Sequence, residues 1–151
     1  MSKFKAINSD VPKYSTSSQS SCGISSPRII VSFAHVTENK DYNFNYFKNN
    51  RARDNLDARK ELDKLLASMT SKTWREAGEL RKTDLGGYEI IPFDQFKSIQ
   101  IKHMSVAKDT PIYIFRFNSQ QYRLCGIKEK KCNVLHIIAY DFDHSLYDHG
   151  S

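Results

Sequence analysis

Apolar and polar positions fall into distinct rhythms along the chain. Behind Pro27, Ile29, Val31 and Phe33 alternate with Ile30, Ser32 and Ala34 in a β-branched run, which predicts a strand. Tyr42, Phe44 and Tyr46 also alternate, after a turn-like Asn39–Asp41. That segment reads either as a hairpin partner or as an ordered aromatic lead into a helix. From Asp54 to Met69 the rhythm becomes helical: Leu62, Leu65, Leu66 and Met69 make one apolar stripe. Asp54 is placed to cap this helix, and Asp57 and Glu61 suit its N-terminal half. A short second helix is expected from Lys72 to Leu80, with Trp74 and Ala77 inward and Thr70 or Ser71 as its cap.

The second half is strand-like. A strand is predicted over Tyr88–Pro92 after Gly86-Gly87, followed by apolar positions Phe96, Ile99 and Ile101. Over Ile112–Asn118, Ile112, Ile114 and Arg116 share one side, and Tyr113, Phe115 and Phe117 the other. After a tight turn at Asn118–Gln121, Tyr122, Leu124 and Gly126 share one face, with Arg123, Cys125 and Ile127 opposite. A polar turn, Lys128–Asn133, precedes a last strand, Val134–Tyr140. The expected fold is α+β: an antiparallel sheet of about four to five strands with two helices packed on one face. The other face is expected to stay partly open as a binding surface. No internal repeat interrupts this plan.

Composition divides the chain. At 151 residues and 39% apolar it carries material for one core, so a disordered chain as a whole is excluded. Ser15–Pro27 is nearly all small and polar, which makes residues 1–27 a flexible arm and 28–151 a single α+β domain. Apolar runs are short: Arg116 follows Ile112–Phe115 and His136 breaks Val134–Tyr140, so no membrane span is expected. The N-terminus lacks the apolar core of a signal peptide. Cys22, Cys125 and Cys132 have no CxxC or zinc-like spacing. Reduced thiols in a cytoplasmic protein are the simplest reading.

Charge sharpens the picture. The net charge is +6, which favours an anionic partner. Residues 97–132 hold Arg116, Arg123, Lys128, Lys130 and Lys131 among their cations, against only Asp109 and Glu129. Arg116 and Arg123, on either side of a tight turn, would form a cationic pair if they share a face, and arginine's planar fork suits phosphate. Tyr113, Phe117 and Tyr122 could offer base-stacking surfaces beside them. The alternatives are that these rings are core and the turn lysines simply solvated. Arg81 and Lys82, before the glycine pair, could supply a second cationic side together with Lys72 and Arg75.

The segment from Asp141 to His149 packs three carboxylates, two imidazoles and a phenol behind a buried strand. Three readings stay open. His144 could act as general acid or base, oriented by Asp141 or Asp143. Asp141, Asp143 and His144 could hold a divalent metal, with Asp148 or His149 assisting. Alternatively, Leu146 and Tyr147 anchor a polar tail while Asp141 or Asp143 makes a turn with its own backbone.

Leu65 and Leu66 on the main helix, Arg81-Lys82 before the Gly-Gly turn, FRFNSQQYRLCGI and NVLHIIAYDFDH resemble, in their order, the RelE/ParE superfamily of small bacterial toxins. The resemblance spans about residues 28–145 and is mainly architectural. It implies a curled, RelE-like sheet and one of two activities. RelE-like members cleave mRNA, commonly on the ribosome and without metal or other cofactor, by attack of the 2′-hydroxyl. ParE-like members inhibit gyrase. By resemblance, Arg81, Lys82, Arg116 and Arg123 would hold the phosphate, and His144 or Tyr147 would handle protons. Lys128, Lys130 and Lys131 would add RNA contacts, and an antitoxin would be the expected partner. The long polar arm and acidic end depart from the family pattern. The other reading is a non-catalytic module that binds nucleic acid or protein through the basic sheet face.

Overall fold

In the computed structural model, which describes residues 26–48 and 51–148, the helical rhythm becomes α1 (Ala52–Thr70). Ala58, Leu62, Leu65 and Met69 form its buried stripe. The helix begins before Asp54. Arg51 occupies the N-cap without a side-chain cap bond, and Asp54 sits in the first turn, where its charge still meets the helix dipole. The second helix, α2 (Trp74–Glu79), is shorter than expected and is capped by Thr73 rather than by Thr70 or Ser71. Thr73 accepts from the Glu76 N–H and Glu76 accepts from the Thr73 N–H, a reciprocal capping box. Thr70 bonds back to the Leu66 carbonyl and Ser71 to that of Ser68, so both close α1 instead.

The strands are β1 (Ile30–Ser32), β2 (Tyr88–Pro92), β3 (Pro111–Phe117), β4 (Tyr122–Lys128) and β5 (Val134–Asp141). They form one sheet in the order β1-β5-β4-β3-β2. From β2 to β5 neighbours are antiparallel, as the short links between β3 and β4 and between β4 and β5 require; β2 reaches β3 through the longer segment from Phe93 to Thr110. β1 is different: it pairs parallel with β5, Ile30 opposite Val134 and Ser32 opposite His136. The sheet is therefore mixed, which corrects the fully antiparallel expectation. The chain leaves β1 through both helices and re-enters at the far edge, so β1 meets its neighbour only when β5 arrives.

The aromatic segment is not a hairpin partner. Tyr42 closes one 3-10 turn, Lys40–Tyr42, and Phe44 and Tyr46 bound a second, Phe44–Tyr46. Asn39 and Asn43 cap them by accepting from the N–H two residues on. This is the alternative in which the segment leads into α1.

Both faces of the sheet are covered. On one, α1 and α2 pack over Phe115, Phe117, Leu124, Leu135, Ile137 and Tyr140. On the other, Ile112, Ile114, Cys125, Ile138 and Ala139 are sealed by Phe96, Ile99, Leu146, Tyr147 and Tyr42. The expected open face is thus a second core. Ile112 and Ile114 oppose Tyr113 and Phe115 along β3, so that strand has apolar side chains to bury on both sides.

The Ser26 carbonyl accepts from Asn133, and Arg28 bridges to Thr73. Residues 1–25 of the expected arm, and His149, lie outside the described residues. Cys125 is a buried free thiol, but Cys132 is disulfide-bonded, which corrects the expectation of reduced thiols throughout. Among the described residues no helix is long and apolar enough to cross a membrane.

Candidate functional site

The β3–β4 hairpin decides which charges meet. Its tight turn uses three consecutive left-handed residues, Asn118, Ser119 and Gln120, at φ 51, 52 and 69°. The register places Arg116 directly opposite Arg123, and Arg123 directly opposite Asp141 of β5. Directly opposed residues share a face, so the two arginines meet the condition for a cationic pair. Glu89 of β2 stands opposite Ile114 and therefore joins them on the face away from the helices.

These charges are satisfied largely by one another. Arg116 Nη2 lies 3.1 Å from Glu89 Oε1, and its Nη1 reaches Gln120 Oε1 at 3.4 Å. Lys82 Nζ takes the other Glu89 oxygen at 3.2 Å. Burial works to raise the Glu89 pKa, but the hydrogen bonds and charges of Arg116 and Lys82 outweigh it and hold the carboxyl below its usual range. Arg123 is 5% exposed; its guanidinium donates to the carbonyls of Gln120 and Tyr122. The Nε atoms of both arginines are buried without a hydrogen-bond partner. Lys82, Arg116 and Arg123 face Glu89 and Asp141, so three cations meet two carboxylates and only a small positive excess remains.

Asp141 is fully buried and accepts from the N–H groups of Ser145 and Leu146 at 3.1 and 3.3 Å. Asp143 accepts from the Ser145 N–H at 3.2 Å and from its hydroxyl. These turns swing the chain under the sheet, where Leu146 and Tyr147 are buried. His144, at φ 60°, stays exposed with Nε2 2.5 Å from the Gln121 carbonyl. A carbonyl only accepts, so Nε2 carries the hydrogen. This bond brings His144 to the same turn as Arg116 and Arg123. Tyr147 packs on Phe96 with ring centres 5.0 Å apart, and burial above all pushes its hydroxyl well above the usual tyrosine range.

The other expected site residues lie apart from this turn or are engaged elsewhere. Arg81 is exposed and forms a salt bridge with Asp84 at 3.1 Å, in the turn between α2 and β2. Lys128, Lys130 and Lys131 sit at the opposite end of β4, roughly 20 Å from its start at the rise of an extended strand. Lys128 lies 5.2 Å over the Trp74 ring, and Lys130 and Lys131 are exposed. Tyr113, Phe117 and Tyr122 pack into the helix-side core, on the face away from the arginines. They therefore offer no stacking surface beside them. Among the described residues no group of three or more His, Cys, Asp or Glu is placed to hold a metal.

Sequence reasoning missed Glu89 as the partner of both Lys82 and Arg116. Its only signal is an acid in an otherwise apolar strand. No family model matches the chain, and neither a curated protein nor a solved structure matches it either. The likeness to the RelE/ParE toxins thus rests on the sequence pieces alone.

Proposed function

We propose that this chain is a nucleic-acid-binding protein that works by binding rather than by cleavage. One observation carries this reading: the groups expected to do chemistry are committed to structure. Arg116 is engaged by Glu89, Arg123 is buried, and Tyr147 is packed beneath the sheet with its proton held tightly. Catalysis of phosphate attack needs such groups open to the phosphate and to proton exchange. The net positive charge is left to exposed side chains such as Lys130 and Lys131, which suit a phosphate backbone and carry no sequence preference.

The second reading, a metal-independent endoribonuclease of the toxin type, is favoured by one specific feature. Exposed His144 sits on the same turn as both arginines. Purified protein incubated with total RNA, or with translating ribosomes, separates the two. Retention of RNA without new fragments is the expected outcome. EDTA-resistant cleavage that disappears in a folded His144→Ala variant would replace binding by the nuclease reading.

A further inference from the structure

A groove of about 660 Å³ opens at the end of the sheet where β5 finishes, walled by the 3-10 segment and the first turns of α1. That volume is in the range of small-molecule sites. Its lining combines two chemistries. Phe44 and Tyr140 form an aromatic floor, and Phe33 stands at the rim with 49% of its surface in water. Lys40, Lys48 and Arg59 supply three cations, and among the described residues no acidic one lines the groove. Lys40 and Lys48 are exposed and make no ion pair among the described residues. The Arg59 guanidinium lies 4.5 Å over the Phe44 ring, and its Nε donates to Asn55 Oδ1 at 2.9 Å. This bond and the ring contact hold the guanidinium beside the aromatic surface that lines the groove.

The sheet arginines at the β3–β4 turn face carboxylates, whereas these cations surround an aromatic surface with none. The ligand complementary to both features is planar, aromatic and anionic. We propose that this groove binds one nucleotide unit, its base on the Phe33 and Arg59–Phe44 surfaces and its phosphate between Lys40 and Lys48. The unit can come from a free nucleotide or from a single-stranded RNA. For the RNA source, the proposal rests on the nucleic-acid reading above.

Calorimetric titration of the full chain with adenosine monophosphate, ribose phosphate and a short unstructured oligoribonucleotide tests it. Adenosine monophosphate is expected to bind more tightly than ribose phosphate. The paired changes Lys40→Ala and Lys48→Ala, both at exposed positions, should weaken it about tenfold, the loss of two exposed charge contacts. Phe33→Ala should bring adenosine monophosphate down to the level of ribose phosphate. Lys108→Ala, at an exposed position outside the groove, should leave mononucleotide binding unaltered. For the oligoribonucleotide, the groove lysine pair should reduce the salt slope by about 0.7, the share of one single-strand phosphate.

Nucleotide binding that ignores Lys40, Lys48 and Phe33 overturns the groove assignment, as does no nucleotide binding at all. Equal binding of polyglutamate also overturns it, because charge alone would then suffice. RNA bound with full affinity by the groove variants overturns the groove and leaves the nucleic-acid reading standing. Adenosine monophosphate bound through the groove, with RNA unbound, keeps the groove as a free-nucleotide site and overturns that reading.

Discussion

Glu89 gives one oxygen to Arg116 and the other to Lys82, so a single carboxylate ties the α2–β2 turn to the hairpin. Its folded pKa lies below the ordinary value of 4.5, so below that value the unfolded chain binds the proton more readily. Its stabilisation is therefore complete above the unfolded value and fades as pH falls through the folded one. Denaturant titrations across the acid range should show this slope in the native chain and a flatter one in Glu89→Gln. At neutral pH that variant should lose roughly 2 kcal/mol, because the amide keeps one oxygen for a half-buried arginine but loses the charge and the second acceptor that Lys82 uses.

Arg123 is the more sensitive position. Arg123→Met would leave the Gln120 and Tyr122 carbonyls short of their donor and should cost about 2–3 kcal/mol, read by thermal or denaturant unfolding. That Arg116 and Arg123 could pair was legible, although alternation assigns faces only within each strand and the turn register joins them. The acids that face them were not. Glu89 and Asp141 become neighbours only through the register of two further strands, which no local pattern encodes.

At the scale of elements, α2 depends on its first residue. Thr73→Ala should cost about 1 kcal/mol and fray the helix that carries Trp74, visible as a shift in tryptophan fluorescence. The T-x-x-E run from Thr73 to Glu76 was present in the sequence, but Thr70 and Ser71 lie just upstream and drew the boundary too early. Gly126 marks the irregularity between β4 and β5. A Cβ there would lie 2.8 Å from the Leu135 side chain, so Gly126→Ala should destabilise by about 1–3 kcal/mol, measured in the same unfolding assays. The strands β3 and β4 were readable from period-two alternation, and β2 and β5 as apolar runs behind a glycine pair and a polar turn. The Tyr42–Tyr46 segment shows the limit of that signal. Asn39 and Asn43 bond their own backbone and coil the chain into 3-10 turns, although the aromatic spacing alone suits a strand.

Across the whole molecule, the two-layer expectation understated the burial. The apolar character of both sides of β3 was visible in the sequence. The cover for its second side comes from the loop after β2 and from Leu146 and Tyr147, whose return under the sheet depends on the buried turn at Asp141. The direction of β1 was illegible for a different reason: alternation marks faces and is blind to whether neighbours run parallel. That parallel pairing has a kinetic consequence. β1 and β5 come from opposite ends of the domain, so their contact closes the longest loop in the fold and is repaid only after the hairpins exist. β1 should therefore dock after the rate-limiting barrier and be the first element to detach. In stopped-flow experiments Val31→Ala should speed unfolding while leaving the folding rate nearly unchanged. The amide protons of β1 should exchange by local opening while those of β3 and β4 wait for global unfolding.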